Sequence, residues 1–252
     1  MTKNLLFSSV GDYTTFYKRW CNNNRNYDIY LCYYGDDIKN NKYDEYSDIY
    51  KQRKGSKFQN FYYYWLNDLK IREYDYYFIV DDDITIETED INKLFDYIKK
   101  YDLWICQPSF ESLEINSNSL INHKITENIP NSILRFTNFI EVNSMCFSKY
   151  SIQKCMEIYN DSLVGWGIDW LFIWYLGKDE KNKYAIIDDI TCINPKIREG
   201  CNIKEIDKLQ HYRDRFLNWK RFAIKLKIEE WGQFEHSRIN VHLINCIHDN
   251  SY

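Results

Sequence analysis

The chain has 252 residues, 44% of them hydrophobic and 18% aromatic, with only 8 Gly and 3 Pro; this suits one large α/β domain with a helical appendage and excludes a repeat-built or disordered protein. The formal net charge is −4 and no basic face is evident, which argues against bulk attraction to nucleic acid. No apolar run approaches the roughly 20 residues that span a bilayer, and Met1 to Phe7 is too short an apolar stretch for a signal peptide, so a cytoplasmic protein is expected.

Lys3 to Val10 reads as a first strand, followed by the turn Gly11-Asp12-Tyr13-Thr14 and a helix near Phe16 to Cys21. Tyr27 to Tyr34 alternates as a second strand and ends at Gly35-Asp36-Asp37. Ile38 to Tyr50 is polar and tyrosine-rich, and an irregular segment is expected there. Phe58 to Ile71 carries Phe61, Tyr62, Trp65, Leu66 and Leu69 on one helical face. Lys54-Gly55-Ser56-Lys57 precedes that helix. Lys57 is a candidate diphosphate contact there, because helix N-termini favour anions, although a solvated charge cluster is the simpler reading.

Tyr76 to Val80 is an apolar run that stops at Asp81-Asp82-Asp83, the pattern of a buried strand ending in carboxylates. Alternation sends Asp81 and Asp83 to one side and Asp82 to the other. Neighbouring carboxylates repel unless a cation neutralises them, and all-oxygen ligands suit Mn²⁺ or Mg²⁺ together with substrate phosphates. A solvated acidic turn capping the next helix is the bland alternative.

Glu89 to Tyr101 follows as a helix, and Leu103 to Gln107 as a short strand ended by Pro108. Ser112 to Asn131 reads as a long loop or hairpin. Asn138 to Phe147 is expected as one strand, Lys149 to Asn160 and Leu171 to Leu176 as helices, and Tyr184 to Ile190 as the last strand, with helical pattern from Ile203 to about Ile228. Strands alternating with helices give a mostly parallel sheet, with ligands beyond the carboxyl ends of its strands. Val10-Gly11-Asp12, Asp36-Asp37 and Asp81 to Asp83 then share one edge.

Gly165-Trp166-Gly167-Ile168-Asp169-Trp170 is the second candidate constellation. The glycines permit close approach, the indole offers a flat face to a sugar, and Asp169 is placed to take a proton from a hydroxyl. A tight turn with Trp166 in the core and Asp169 as a helix cap explains the same residues. Asp188-Asp189 reads more simply as a turn than as a third acidic contact. None of the 8 Cys forms a C-x-x-C pair and none of the 5 His is paired at metal-ligand spacing. Cytosolic thiols stay reduced, and Cys32, Cys106 and Cys146 read as core residues.

The ordered series Y-D-Y-Y-F-I-V-D-D-D (Tyr74 to Asp83), C-Q-P-S (Cys106 to Ser109), H-K-I-T (His123 to Thr126), F-I-E-V-N-S-M-C-F-S (Phe139 to Ser148), L-V-G-W-G-I-D-W (Leu163 to Trp170) and A-I-I-D-D (Ala185 to Asp189) resembles the glycosyltransferase-like family catalogued as domain of unknown function seven-hundred-seven. That family is similar in pattern to GT-A glycosyltransferases. The resemblance covers roughly Lys54 to Pro195 and implies a GT-A-like α/β fold; the expected division is such a domain over residues 1–200 with a helical extension over 201–252. It implies Asp81 and Asp83 at metal and nucleotide with Asp82 nearby, and Asp169 at the acceptor or the transferred sugar.

Gln107, His123, Trp166 and Gly167, within the same motifs, are candidate sugar or acceptor contacts. Val10, Gly11, Asp12 and Asp36 are candidate nucleotide contacts at the two strand ends. The expected partners are a nucleoside diphosphate sugar and a hydroxyl acceptor such as a glycan. Where relatives carry a His after the last strand this chain has Cys192, so Asn194, His211 or water would complete the metal site. Two rivals stand beside this reading. One is a haloacid-dehalogenase-type phosphatase using D-x-D-x-T at Asp81 to Thr85 with Asp188-Asp189 as its second acidic motif. The other is a non-catalytic sugar-binding module.

Overall fold

The computed structural model of the chain describes residues 2–36, 42–116, 118–196 and 205–241. Asp37, Cys201, Cys246, His242 and His248 lie outside the described residues. The strands are β1 (Asn4–Val10), β2 (Asp28–Tyr33), β3 (Ile49–Gln52), β4 (Tyr76–Val80), β5 (Ile105–Phe110), β6 (Ser132–Thr137), β7 (Ser144–Ser148), β8 (Tyr184–Cys192) and β9 (Glu235–Asn240). The helices are α1 (Lys57–Asn67), α2 (Thr88–Lys100), α3 (Lys149–Ile158), α4 (Ile168–Leu176), α5 (Glu205–Leu209) and α6 (Tyr212–Leu226).

The strands form one sheet in the order β3-β2-β1-β4-β7-β5-β8-β6-β9. The first four pair in parallel, with Leu6 opposite both Ile29 and Phe78. β7 then runs antiparallel between β4 and β5, and β6 runs antiparallel to both β8 and β9. The α/β class stands, but the sheet is mixed rather than mostly parallel. The reversal lies at 138–143: of the expected strand Asn138 to Phe147 only the part from Ser144 is strand, and the loop before it carries the chain from β6 to β7 in a different part of the sheet.

Period-2 alternation divides the core into two layers. Leu5, Phe7, Tyr77 and Ile79 face Phe58, Phe61 and Trp65 of α1, with α3, α4 and Trp219 of α6 in the same layer. Leu6, Val10, Phe78 and Val80 face Ile91, Leu94, Phe95 and Ile98 of α2 with Phe16 and Trp20. Each such fully buried side chain contributes about 1.5–3 kcal/mol. α1 begins with a capping box, Ser56 with Gln59, and α2 has Glu89 and Asp90 in its first turn and Lys99 and Lys100 in its last, matching the helix dipole.

Smaller differences have local causes. The helix expected at Phe16 to Cys21 is only a 3-10 turn over Phe16–Lys18. α1 stops at Asn67, and Leu69–Glu73 is a 3-10 turn. β5 continues through Pro108, which has no N–H to donate; its pairing with β8 shifts register between Pro108 and Ser109. The described cysteines Cys21, Cys32, Cys106, Cys146, Cys155 and Cys192 are free thiols, and no described helix is long and apolar enough to cross a membrane.

β6 and β8 are locked by a buried pair. Arg135 donates from Nε and Nη2 to the two Asp188 oxygens at 2.8 and 2.9 Å, and from Nη1 and Nη2 to the Ile125 and Glu127 carbonyls at 2.7 and 2.8 Å. One guanidinium thus holds the 125–127 loop against the sheet. Removing one partner of such a pair strands the other charge. Asp188→Ala is expected to lower the unfolding free energy by about 3–5 kcal/mol in urea denaturation; a loss below about 1 kcal/mol would contradict this role.

Candidate active site

β1 and β4 end side by side, and the chain turns at Asp81-Asp82-Asp83, where the Ile84 N–H donates to the Asp81 carbonyl at 3.2 Å. Asp82 is buried: its Oδ2 accepts the Gly11 N–H at 2.9 Å and its carbonyl accepts the Thr14 hydroxyl at 2.9 Å. It therefore joins the β1 turn to the β4 turn. Asp81 and Asp83 are only half-buried. The inward–outward alternation expected for the three aspartates is present, with Asp82 as the inward member.

At the ends of β1 and β2, the Val10 carbonyl accepts the Tyr34 N–H at 3.0 Å, and a Cβ on Gly11 would lie 2.6 Å from the Tyr34 ring, so a larger residue there would have to displace that ring. Asp12 is exposed and accepts from the Tyr33 hydroxyl, while exposed Asp36 accepts from Lys54 Nζ at 2.7 Å. The ends of β1 and β2 thus form one wall, with Asp12 and Asp36 facing solvent.

Lys57 does not project outward. Its side chain is 9% exposed, and Nζ meets Asp81 Oδ1 at 2.9 Å, the Val142 carbonyl at 2.8 Å and the Asn143 carbonyl at 3.1 Å. Three donors have three acceptors.

The 138–143 loop is the junction of the site. The Asn143 carbonyl also accepts the Asp81 N–H at 2.9 Å. Gln107 is enclosed in the middle of β5, and its Oε1 accepts the Glu141 N–H at 2.6 Å. The buried Glu141 carboxyl accepts from Asn122, from Asn143 Nδ2 at 3.1 Å and from the Thr126 hydroxyl at 3.4 Å. Burial pushes Glu141 up to about 7, and the neighbouring charge of Asp169 pushes the same way.

Asp169 sits in the first turn of α4, and burial likewise pushes its carboxyl up to about 7 against hydrogen bonds from the Trp170, Asp169 and Val142 backbone. Gly167 caps the helix at φ 78°, and a Cβ there would lie 2.0 Å from the Trp219 ring of α6. Trp166 is half-buried and packs edge-on against Tyr212 and Phe216. The G-W-G segment therefore presents Asp169 inward while seating the C-terminal helices.

His123 is half-buried against Phe139, with Nδ1 2.8 Å from Gln233 Nε2, and burial lowers its pKa. The segment after β8 runs beside the aspartate turn, with Thr85 and Ile193 exchanging backbone hydrogen bonds at 2.9 and 3.0 Å. Cys192 is buried and its thiol is held well above the usual range by burial, the Glu141 charge acting in the same direction, which disfavours a thiolate ligand. Asn194 Nδ2 donates to the Leu120 carbonyl at 3.3 Å, and His211 Nδ1 accepts the Arg213 N–H at the start of α6. Among the described residues no group of three or more His, Cys, Asp or Glu is placed to hold a metal ion.

Asp81 and Asp83 are hard oxygen donors of the kind Mn²⁺ and Mg²⁺ take. The structure thus brings Asp81, Lys57, Gln107 and Asp169 around one loop, with Gly11 bound to the aspartate turn through Asp82. Asp188 is committed to Arg135, while Asp189 accepts from the Tyr97 hydroxyl at 2.8 Å. Sequence reasoning missed Glu141, Asn122, Thr126 and Asn143. The available signal was a lone Glu inside the apolar run Phe139 to Phe147.

No family model matches the chain, and no curated protein matches it. The resemblance to the seven-hundred-seven family therefore rests on its motifs alone. Among solved structures, the crystal structure of TarS from S. aureus aligns with TM-score 0.50 at 12% identity, covering 90% of this chain and 46% of that one. The chain thus spans just under half the length of that protein. TarS 1-349 in complex with UDP aligns at 0.47 and 14% identity, covering 90% of this chain and 76% of that one. A197 from STIV aligns at 0.46 and 12%, covering 76% of this chain and 84% of that one. At 12% identity the TarS likeness speaks to the fold alone.

Glu141 and Asp169 both bind protons more tightly folded than unfolded, so their contribution to stability is complete below the unfolded carboxyl pKa and is lost as pH rises through about 7. The stability difference between wild type and a Glu141→Gln/Asp169→Asn variant is expected to shift toward the variant between pH 5 and pH 8 in urea denaturation. A pH-independent difference would contradict their raised affinity for protons.

Proposed function

We propose that the chain is a glycosyltransferase that moves a sugar from a nucleoside diphosphate sugar to a hydroxyl acceptor, built on a GT-A-like domain of the kind its ordered motifs resemble. The observation that carries this reading is the 138–143 loop, whose backbone contacts both Asp81 of the aspartate turn and Asp169, a buried carboxyl of raised pKa. The TarS-like fold is consistent with it.

In this reading the base and ribose lie along Val10-Gly11-Asp12 and the Tyr34 to Asp36 strand end, and the diphosphate reaches the aspartate turn. Mn²⁺ or Mg²⁺ at Asp81 and Asp83, when bound, would offset the charge of the departing nucleoside diphosphate. The acceptor hydroxyl oxygen bonds to the anomeric carbon, the bond from that carbon to the diphosphate oxygen breaks, and the hydroxyl proton passes to Asp169 if the centre inverts. A pKa near 7 suits a base at neutral pH. If configuration is retained, Asp169 orients the sugar instead. Trp166 and His123 flank the acceptor side, and Gln107 acts through Glu141.

Thermal-shift titration with nucleoside diphosphates, with and without Mn²⁺, tests the donor site. Wild type is expected to show a metal-dependent rise with at least one of them, and Asp83→Ala to lose its metal-dependent part. Asp169→Asn is expected to keep the shift while losing transfer by about 10²-fold or more. Equal metal-dependent shifts in wild type and Asp83→Ala would contradict the assignment.

A further inference from the structure

The net charge of −4 hides an uneven distribution. α6 carries five basic side chains and one acidic one, Asp214, which sits in the first turn where the helix dipole favours it. Two of the basic groups are spent: Arg215 meets Asp207 and Lys220 meets Glu230, each at 2.6 Å. Arg213, Arg221 and Lys225 have no carboxylate partner among the described residues. The helix is held to the domain by the buried stripe Arg215, Trp219 and Ala223, with Trp219 against Gly167. On the opposite side Arg213, Leu217, Arg221 and Lys225 follow one another at four-residue spacing, all exposed. Ile224 lies about one turn beyond Arg221 and two beyond Leu217 on the same side. Leu217 is 47% exposed and Ile224 76%.

A single exposed aliphatic side chain is ordinary. Two of them on one stripe with three uncompensated cations are the pattern of a helix that lies in a membrane interface. We propose that this outward face of α6 docks the protein on an anionic lipid bilayer. Leu217 and Ile224 enter the boundary between headgroups and acyl chains, while Arg213, Arg221 and Lys225 meet the lipid phosphates. The negative charge of the whole chain does not cancel this, because exposed charges more than about 10 Å away are largely screened at 0.1 M salt. A nucleic-acid duplex would draw on the same cations but has no use for two projecting aliphatics. A protein groove that takes a helix grips a continuous apolar ridge, and here Arg213 and Arg221 interrupt the ridge. A bilayer interface is the surface that engages both kinds of side chain. The inference does not depend on the glycosyltransferase reading.

Co-sedimentation of the full chain with vesicles tests this without any turnover. Vesicles of phosphatidylcholine alone are compared with vesicles holding about 30 mol% phosphatidylglycerol. Wild type is expected to bind the anionic vesicles at least about tenfold more tightly than the neutral ones, and to lose most of that preference in about 0.5 M NaCl. Leu217→Ser/Ile224→Ser is expected to weaken binding to anionic vesicles by about tenfold or more. Arg213→Gln/Arg221→Gln/Lys225→Gln is expected to abolish the preference for anionic lipid. Leu69→Ser, which removes an aliphatic side chain 73% exposed outside α6, is expected to change nothing. Circular dichroism checks the fold of each variant, and Ile224→Ser alone is read if the double serine variant loses helix. No binding to either vesicle, equal binding to both, or binding that neither set of α6 variants weakens overturns the proposal. Retention on immobilised polyglutamate or DNA without vesicle binding overturns it in favour of an acidic macromolecule.

Discussion

Three consecutive carboxylates at the end of a buried strand repel one another, and the surroundings of β4 are organised around that repulsion. Asp82 turns inward and spends its charge on the Gly11 N–H. Asp81 is matched by the Lys57 ammonium. These two contacts tie the turn after β4 to the turn after β1 and to the first residue of α1.

The loop between β6 and β7 completes the arrangement. Its backbone is buried, and buried peptide groups need partners. Gln107 supplies one to Glu141, Lys57 supplies them to Val142 and Asn143, and the Asp81 N–H supplies another to Asn143. The Val142 backbone also hydrogen-bonds Asp169. A single peptide segment thus lies between the carboxylates at the sheet edge and the buried carboxyl of α4. Arg135 and Asp188 hold the next layer, the 125–127 loop, from which Thr126 reaches Glu141.

Much of this was legible in the sequence, and for physical reasons. β4 and α2 carry strong apolar patterns because both are buried, β4 on two faces and α2 on one. The aspartate triplet and the G-W-G-I-D motif stood out because carboxylates beside apolar runs are costly to bury without purpose. β3 and β9 were not legible: Ile49-Tyr50-Lys51-Gln52 is short and half-exposed, and Glu235 to Asn240 joins the sheet edge through backbone pairing with little apolar signal. Phe139 to Phe147 looked like one strand because its reversal is buried among apolar residues. Only the polar network around Asn138, Glu141 and Asn143 distinguishes that loop from a strand, and its partners are distant in sequence. The antiparallel insertion of β7 was hidden for the same reason.

A crystal structure with Mn²⁺ and a nucleoside diphosphate bound would decide most. The account predicts pyrophosphate oxygens and both Asp81 and Asp83 on one ion, with the Lys57 ammonium still seated on the Val142 and Asn143 carbonyls. Nucleotide bound elsewhere on the surface, with Asp81 and Asp83 in contact with neither ion nor phosphate, would contradict it.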